Sequence, residues 1–149
     1  MKTRTMRVSA AITEQTGLSY PALYKGPLYT NAEKAAQHGY DAVELHIPGA
    51  YAIDGNKMRE LCDQQQIDVS AISTGLAYST RGLSLIANDS QVRLDAIKCL
   101  AEHIELASVL RTGIIIGLIR GVFSPEMGQK TALSRLRDAV NTLLEAAEK

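Results

Sequence analysis

Four short apolar runs, each followed by a segment of helical periodicity, constrain this chain more than any other feature. The runs cover residues 6–12, 40–48, 67–72 and 114–117, and the helical segments open near Thr30, Asp54, Asp89 and Thr131. Such a βαβαβαβα order predicts a parallel sheet with right-handed crossovers and helices covering it. Two architectures fit: a doubly wound, flavodoxin-like open sheet, or four successive units of a (β/α)8 barrel. Length favours the open sheet, since 149 residues fall well short of the roughly 250 typical of a complete barrel.

The run over residues 40–48 carries the most chemistry. Its alternation puts Val43, Leu45 and Ile47 on one face and Ala42, Glu44 and His46 on the other. A carboxylate and an imidazole on one face, near a strand's C-terminal end, suit a barrel interior. The other elements have readable punctuation. Residues 13–29, with Gly17, Pro21, Gly26 and Pro27, read as a long loop, and loops of that length are often functional. Thr30-Asn-Ala-Glu33 has the form of a capping box, opening a helix that stops at Gly39.

Asp54 is a candidate N-cap for a helix through Gln66, with Met58, Leu61 and Cys62 on one face. After the third run, Ser73-Thr74-Gly75 leads into a second long loop over residues 76–88. Asp89 then caps a helix to about Leu110, whose buried stripe is expected at Ile97, Leu100, Ala101, Ile104 and Ala107. The β-branched fourth run suits a strand buried on both faces. A last helix, roughly residues 131–148, carries Leu133, Leu136, Val140, Leu143, Leu144 and Ala147 on one side.

Composition narrows the function classes. Sixteen Lys and Arg balance sixteen Asp and Glu, so no long-range field favours nucleic acid or an anionic membrane. Cys62 and Cys99 lie far apart with no zinc-ligand spacing and are expected as reduced, buried thiols. The basic N-terminus leads into a polar segment rather than a signal-peptide core, and no run approaches the roughly 20 apolar residues of a membrane span. The expectation is one cytoplasmic domain over residues 1–149. No GxGxxG, Walker loop, GxSxG or HExxH occurs, so nucleotide-binding and hydrolase readings have no motif behind them.

Ala35-Ala-Gln-His-Gly-Tyr-Asp-Ala-Val-Glu-Leu-His46 resembles the second βα element of the xylose isomerase-like TIM barrels, the superfamily of sugar isomerases and epimerases, keto-inositol dehydratases and endonuclease IV. Asp68-Val-Ser-Ala-Ile-Ser73 resembles the family's third strand, residues 95–107 its long third helix, and Gly117-Leu-Ile-Arg-Gly121 the end of its fourth strand. The resemblance implies a (βα)4 parallel half-barrel, the N-terminal half of a TIM barrel. It also implies that the divalent metal (Mn, Mg, Co or Zn) and the acid/base glutamates come from strands five to eight. No position here matches those ligands, so no metal and no catalytic residue is assigned to this chain.

A half-barrel leaves its first and fourth strands as open edges. The expected remedy is a second half lost by truncation or proteolysis, a complementing half-barrel, or a homo-oligomer; a lone stable monomer is disfavoured. Substrate contacts are expected from His46 and Glu44, from Ser73 and Thr74 at the end of the third strand, and from Arg120 and Gly121 after the fourth. An arginine there suits a phosphate or carboxylate, and a glycine permits close backbone approach. The competing reading of Glu44 is a buried structural carboxylate paired with a residue such as Arg7. Tyr20, Tyr24 and Tyr29 are candidates for stacking on a sugar ring, whereas His38 and His103 are expected to be structural or solvated.

The leading expectation is therefore the N-terminal part of a metal-dependent sugar or sugar phosphate isomerase or epimerase, inactive as 149 residues alone. The alternative is a non-catalytic α/β half-barrel that dimerises or binds a small polar ligand or partner chain. Endonuclease-type DNA repair is disfavoured by neutral charge and three histidines.

Overall fold

The computed structural model describes residues 6–17 and 21–148; Tyr20 and the first five residues lie outside them. Five parallel strands form one sheet: β1 (Ser9–Thr13), β2 (Tyr24–Lys25), β3 (Ala42–His46), β4 (Asp68–Ser73) and β5 (Ile114–Ile115), in the order β2-β1-β3-β4-β5. The helices are α1 (Leu28–Gln37), α2 (Gly55–Gln65), α3 (Gly75–Arg81), α4 (Ser90–Leu110) and α5 (Gln129–Ala147).

This order is the 2-1-3-4-5 of a flavodoxin-like sheet, but the connections differ. Among the described residues, no helix lies between β1 and the two-residue β2. The helix-connected strands β1, β3, β4 and β5 lie side by side in chain order. Helices α1 and α2, α2 and α4, and α4 and α5 pack on one another in turn, forming one layer on one side. A doubly wound sheet would put helices on both faces. The fold is a TIM-barrel half.

The register assigns the faces. Ala10, Ile12, Val43, Leu45, Val69 and Ile72 point to the helix layer and form the main core with Ala32, Ala35, Met58 and Cys62. The concave face, where a barrel interior lies, carries Ser9, Ala11, Thr13, Ala42, Glu44, His46, Ala71, Ser73 and Ile115. A shift between Val43 and Glu44 inserts Ser70 as an extra residue of β4, which keeps Glu44 opposite Ala71 and His46 opposite Ser73. The split between apolar outer face and polar inner face follows directly from the alternation in β3.

Caps at Asp54 and Asp89 form as the sequence predicts: their carboxylates accept from Lys57 N at 3.0 Å and Gln91 N at 2.7 Å. Gly39 follows α1 with φ +80°, and the Tyr40 amide donates back to Ala35 O at 3.0 Å, closing the helix. Several expectations are corrected. Helix α1 begins at Leu28, not Thr30, because Leu28 is buried; the cap is Pro27, and Asn31 Nδ2 steadies the turn by donating to Gly26 O at 3.0 Å. The loop over residues 13–29 contains β2, which covers part of the β1 edge. Residues 76–88 are not all loop, since the burial of Leu76 and Ala77 winds Gly75–Arg81 into α3.

In α4 the buried stripe is rotated from the expected one: Ala96, Cys99, Leu100, His103, Leu106, Ala107 and Leu110 go inward. Ile97, Ala101 and Ile104 are only partly buried, packing in a second cluster with Ala139 and Leu143 of α5. The fourth strand is not buried on both faces: Ile114 is half-buried towards the helices and Ile115 is exposed on the concave face, and among the described residues no strand pairs with its far edge. Ile115, Leu118, Val122 and Phe123 are exposed along that edge, as are Leu133 and Leu144 on α5. Among the described residues, no helix is long and apolar enough to cross a membrane.

Candidate functional site

At the C-terminal end of β3, where active sites sit in barrels of this type, His46 Nε2 lies 2.8 Å from Glu44 Oε1. The contact exists because the two side chains are separated by one strand period and share the concave face. His46 is 8% exposed, and the Glu44 side chain is about one-third exposed. Burial pushes the imidazole below its ordinary value, and the opposing pull of the Glu44 carboxylate does not cancel that. At neutral pH the ring is therefore uncharged, with Nε2 facing the Glu44 carboxylate. Arg7, the alternative partner for Glu44, instead pairs with Asp68 and donates to Asp41 O at 3.3 Å.

A cleft of about 220 Å³ opens beside His46, lined by Thr13, Glu14, Gln15, Leu28, His46, Ile47, Pro48, Tyr51 and Ala52. It joins the C-terminal ends of β1 and β3. A larger cavity, about 640 Å³, lies at the opposite, N-terminal end of the strands among Arg7, Arg59, Asp63 and Asp68. Arg7 pairs there with Asp68, and Arg59 with Asp63 at 3.1 Å. In a barrel that end serves stability, so the smaller cleft is the functional candidate.

The six residues expected to contact substrate separate into groups. Glu44 and His46 are together, and Ser73, nearly buried, stands opposite His46 across the β3–β4 pairing. The Thr74 hydroxyl is buried, donates to Ile115 O at 2.8 Å and accepts from Gly117 N at 3.3 Å, so it clasps β4 to the chain after β5. Gly121 has φ +93°, and a Cβ there would stand 2.2 Å from Ser84 Oγ; the close approach it permits is to the segment after α3. Arg120 is exposed on the turn Leu118–Arg120 and does not line the cleft.

Thr13, Glu14, Gln15 and Tyr51 line the cleft without having been singled out. Position at a strand's C-terminal end was the available signal for the first three; Tyr51 had none. Tyr24 and Tyr29 pack down instead. The Tyr24 hydroxyl meets His38 Nδ1, and the Tyr29 hydroxyl accepts from Asp54 N at 3.0 Å.

Behind the cleft, His103 is fully buried, its Nδ1–H donating to Cys99 O at 2.7 Å, and burial lowers its pKa. Both cysteines are free and buried. Burial raises both thiols, that of Cys62 to about 11, which leaves them protonated and poor nucleophiles at neutral pH. Among the described residues, no group of three or more His, Cys, Asp or Glu is placed to hold a metal ion. Glu44 and His46 offer two donors, which do not complete a divalent site.

Comparison with known proteins agrees with this geometry. Residues 32–149 match the family described as xylose isomerase-like TIM barrel. No curated protein matches the sequence. Among solved structures, D-psicose 3-epimerase in the presence of D-fructose aligns with TM-score 0.69 at 13% identity, over 96% of this chain and 49% of the other. The 3-keto-D-glucoside 4-epimerase of E. coli aligns with TM-score 0.70 at 12% identity, over 96% and 52%. A family 2 AP endonuclease from Brucella melitensis gives 0.57 at 19%, over 95% and 53%. At these identities the likeness is one of fold, and this chain spans about half the length of the structures it matches.

Proposed function

This chain belongs to the xylose isomerase-like TIM barrel family, and on that premise we propose that it forms the substrate-holding half of a sugar or sugar phosphate isomerase or epimerase. The observation that carries this reading is the buried His46, paired with Glu44 and lining a cleft on the C-terminal side of the sheet. A neutral imidazole and a carboxylate, with the Ser73 hydroxyl alongside, suit the vicinal hydroxyls of a ketohexose such as D-fructose or D-allulose, the sugars present in two related epimerase structures. Arg120 is the proposed clamp for a phosphate or carboxylate substituent. Thr74 and Gly121 shape the surrounding backbone.

The described residues do not make a metal centre, so no chemical step is assigned to a metal here. The divalent metal and the acid/base carboxylates are proposed to belong to a second set of four βα units, and this chain alone is proposed to be inactive.

NMR of the histidine rings during titration with D-fructose or D-allulose tests the site. The expected result is a saturable shift of the His46 signals. A His46 ring that responds to neither sugar would overturn the proposal.

The exposed apolar edge supports a second element of the reading. Ile115, Leu118, Val122 and Phe123 are exposed on the β5 side and Val8 and Leu23 on the β1–β2 side, and among the described residues no strand pairs beyond either edge. Parallel strands meeting these edges would close a barrel, supplied by a second copy of the chain or by a complementing half. Light scattering checks the first arrangement: a species above the 16.1 kDa protomer supports self-association, and a stable monomer at all concentrations contradicts it.

A further inference from the structure

Tyr51 follows β3 by five residues, is 72% exposed, and stands at the mouth of the cleft whose lining includes His46 and Thr13. An exposed tyrosine usually moves freely, but this one is held. Gly49 leaves bare backbone beside the ring: a Cβ there would lie 2.4 Å from Tyr51 Cε1 and 2.7 Å from Cδ1. The Arg81 guanidinium lies 5.7 Å from the ring centroid, within cation–π reach. Arg81 is itself anchored on the same loop, since its Nη1 donates to Pro48 O at 3.0 Å.

These contacts lower the ordering cost of the ring before any ligand arrives. The held aromatic ring stands beside a polar lining made of the His46 imidazole, the Thr13 hydroxyl and the Glu14 carboxylate. A ligand that satisfies both has an apolar C–H face and a polar hydroxyl edge, which is the chemistry of a cyclic monosaccharide. A linear polyol has no such face, and a purely anionic ligand would not use the ring.

We propose that Tyr51 is the stacking platform of this site for the cyclic form of a monosaccharide, with Gly49 and Arg81 as positioning residues that hold the ring. The inference rests on the reading of the His46 cleft as a sugar site. It adds a residue that contacts the sugar and a preference for ring forms.

The test is NMR titration of the full chain with D-fructose, following the aromatic signals of Tyr51 and His46 separately, in wild type, Tyr51→Phe, Tyr51→Ala and Gly49→Ala. Sugar should shift both rings in wild type. Tyr51→Phe should bind within about twofold of wild type, whereas Tyr51→Ala should weaken binding about fivefold or more, the usual scale of an aromatic contact. Gly49→Ala should weaken binding similarly although the tyrosine remains, because the added methyl displaces the ring. Glycerol should shift neither ring.

If D-fructose shifts His46 but not Tyr51, and Tyr51→Ala binds like wild type, the platform is overturned while the sugar site stands. If D-fructose shifts neither ring, both readings fall. Because Tyr51 lies outside the core, its substitution leaves the fold available for the measurement.

Discussion

His46 Nε2 and Glu44 Oε1 stand 2.8 Å apart on the concave face of β3, one strand period from each other. The pair sets two opposing influences on one imidazole: burial favours the neutral ring, and the carboxylate favours the charged one. Burial prevails, so the ring acts at neutral pH as a hydrogen-bonding group and not as a cation.

Replacing the carboxylate should expose that balance. In Glu44→Gln the charge that raises the His46 pKa is gone while burial remains, so the pKa should fall further. An NMR pH titration of the ring reads this directly. A rise on substitution would mean that Glu44 is not the group opposing burial.

Acid stability should follow from the two buried imidazoles. His46 and His103 both have folded-state pKa values below the ordinary 6.5 because burial disfavours the charged ring. The unfolded chain therefore binds protons first as pH falls. Their contribution to stability is complete above about pH 6.5 and is lost progressively down to the folded-state values. Urea unfolding between pH 7.5 and 5 should show declining stability, with a shallower decline in His103→Leu.

Gly121→Ala should destabilise the fold by about 2–4 kcal/mol, the sum of a left-handed backbone strained by a side chain and an overpacked contact. The added methyl meets Ser84 Oγ at 2.2 Å and Ile86 Cγ1 at 2.5 Å. Chemical denaturation checks the loss. A neutral result would mean that the segment after α3 yields easily.

The parts of the fold legible in the sequence are those fixed by local pattern. Alternation in β3 identified the buried outer face and the Glu44–His46 inner face, and Asp54 and Asp89 marked their helix starts because a short carboxylate side chain caps free amides. The parts misread depend on what lies across space. Thr30 and Glu33 have the spacing of a cap, yet burial of Leu28 starts α1 earlier. The β-branched residues 114–116 suit burial on both faces, but the sheet ends there. Rotation of the α4 stripe follows from α4 meeting both the sheet and α5.

The candidate site was legible in the same partial way. The polar pair was visible, and Ser73 by its place at the end of the third strand; its register opposite His46 was not. Nothing local disclosed that Thr74 clasps the chain after β5, or that Tyr51 is held beside the cleft by Gly49 and Arg81.

The most direct test of the central claim, that the His46 cleft is a sugar-binding floor, is calorimetric titration of D-fructose into wild type and His46→Ala. The account predicts measurable binding to wild type that weakens about tenfold in the variant, the cost of losing a buried hydrogen-bonding group. Equal affinity in the two proteins, with the fold intact in both, would contradict it.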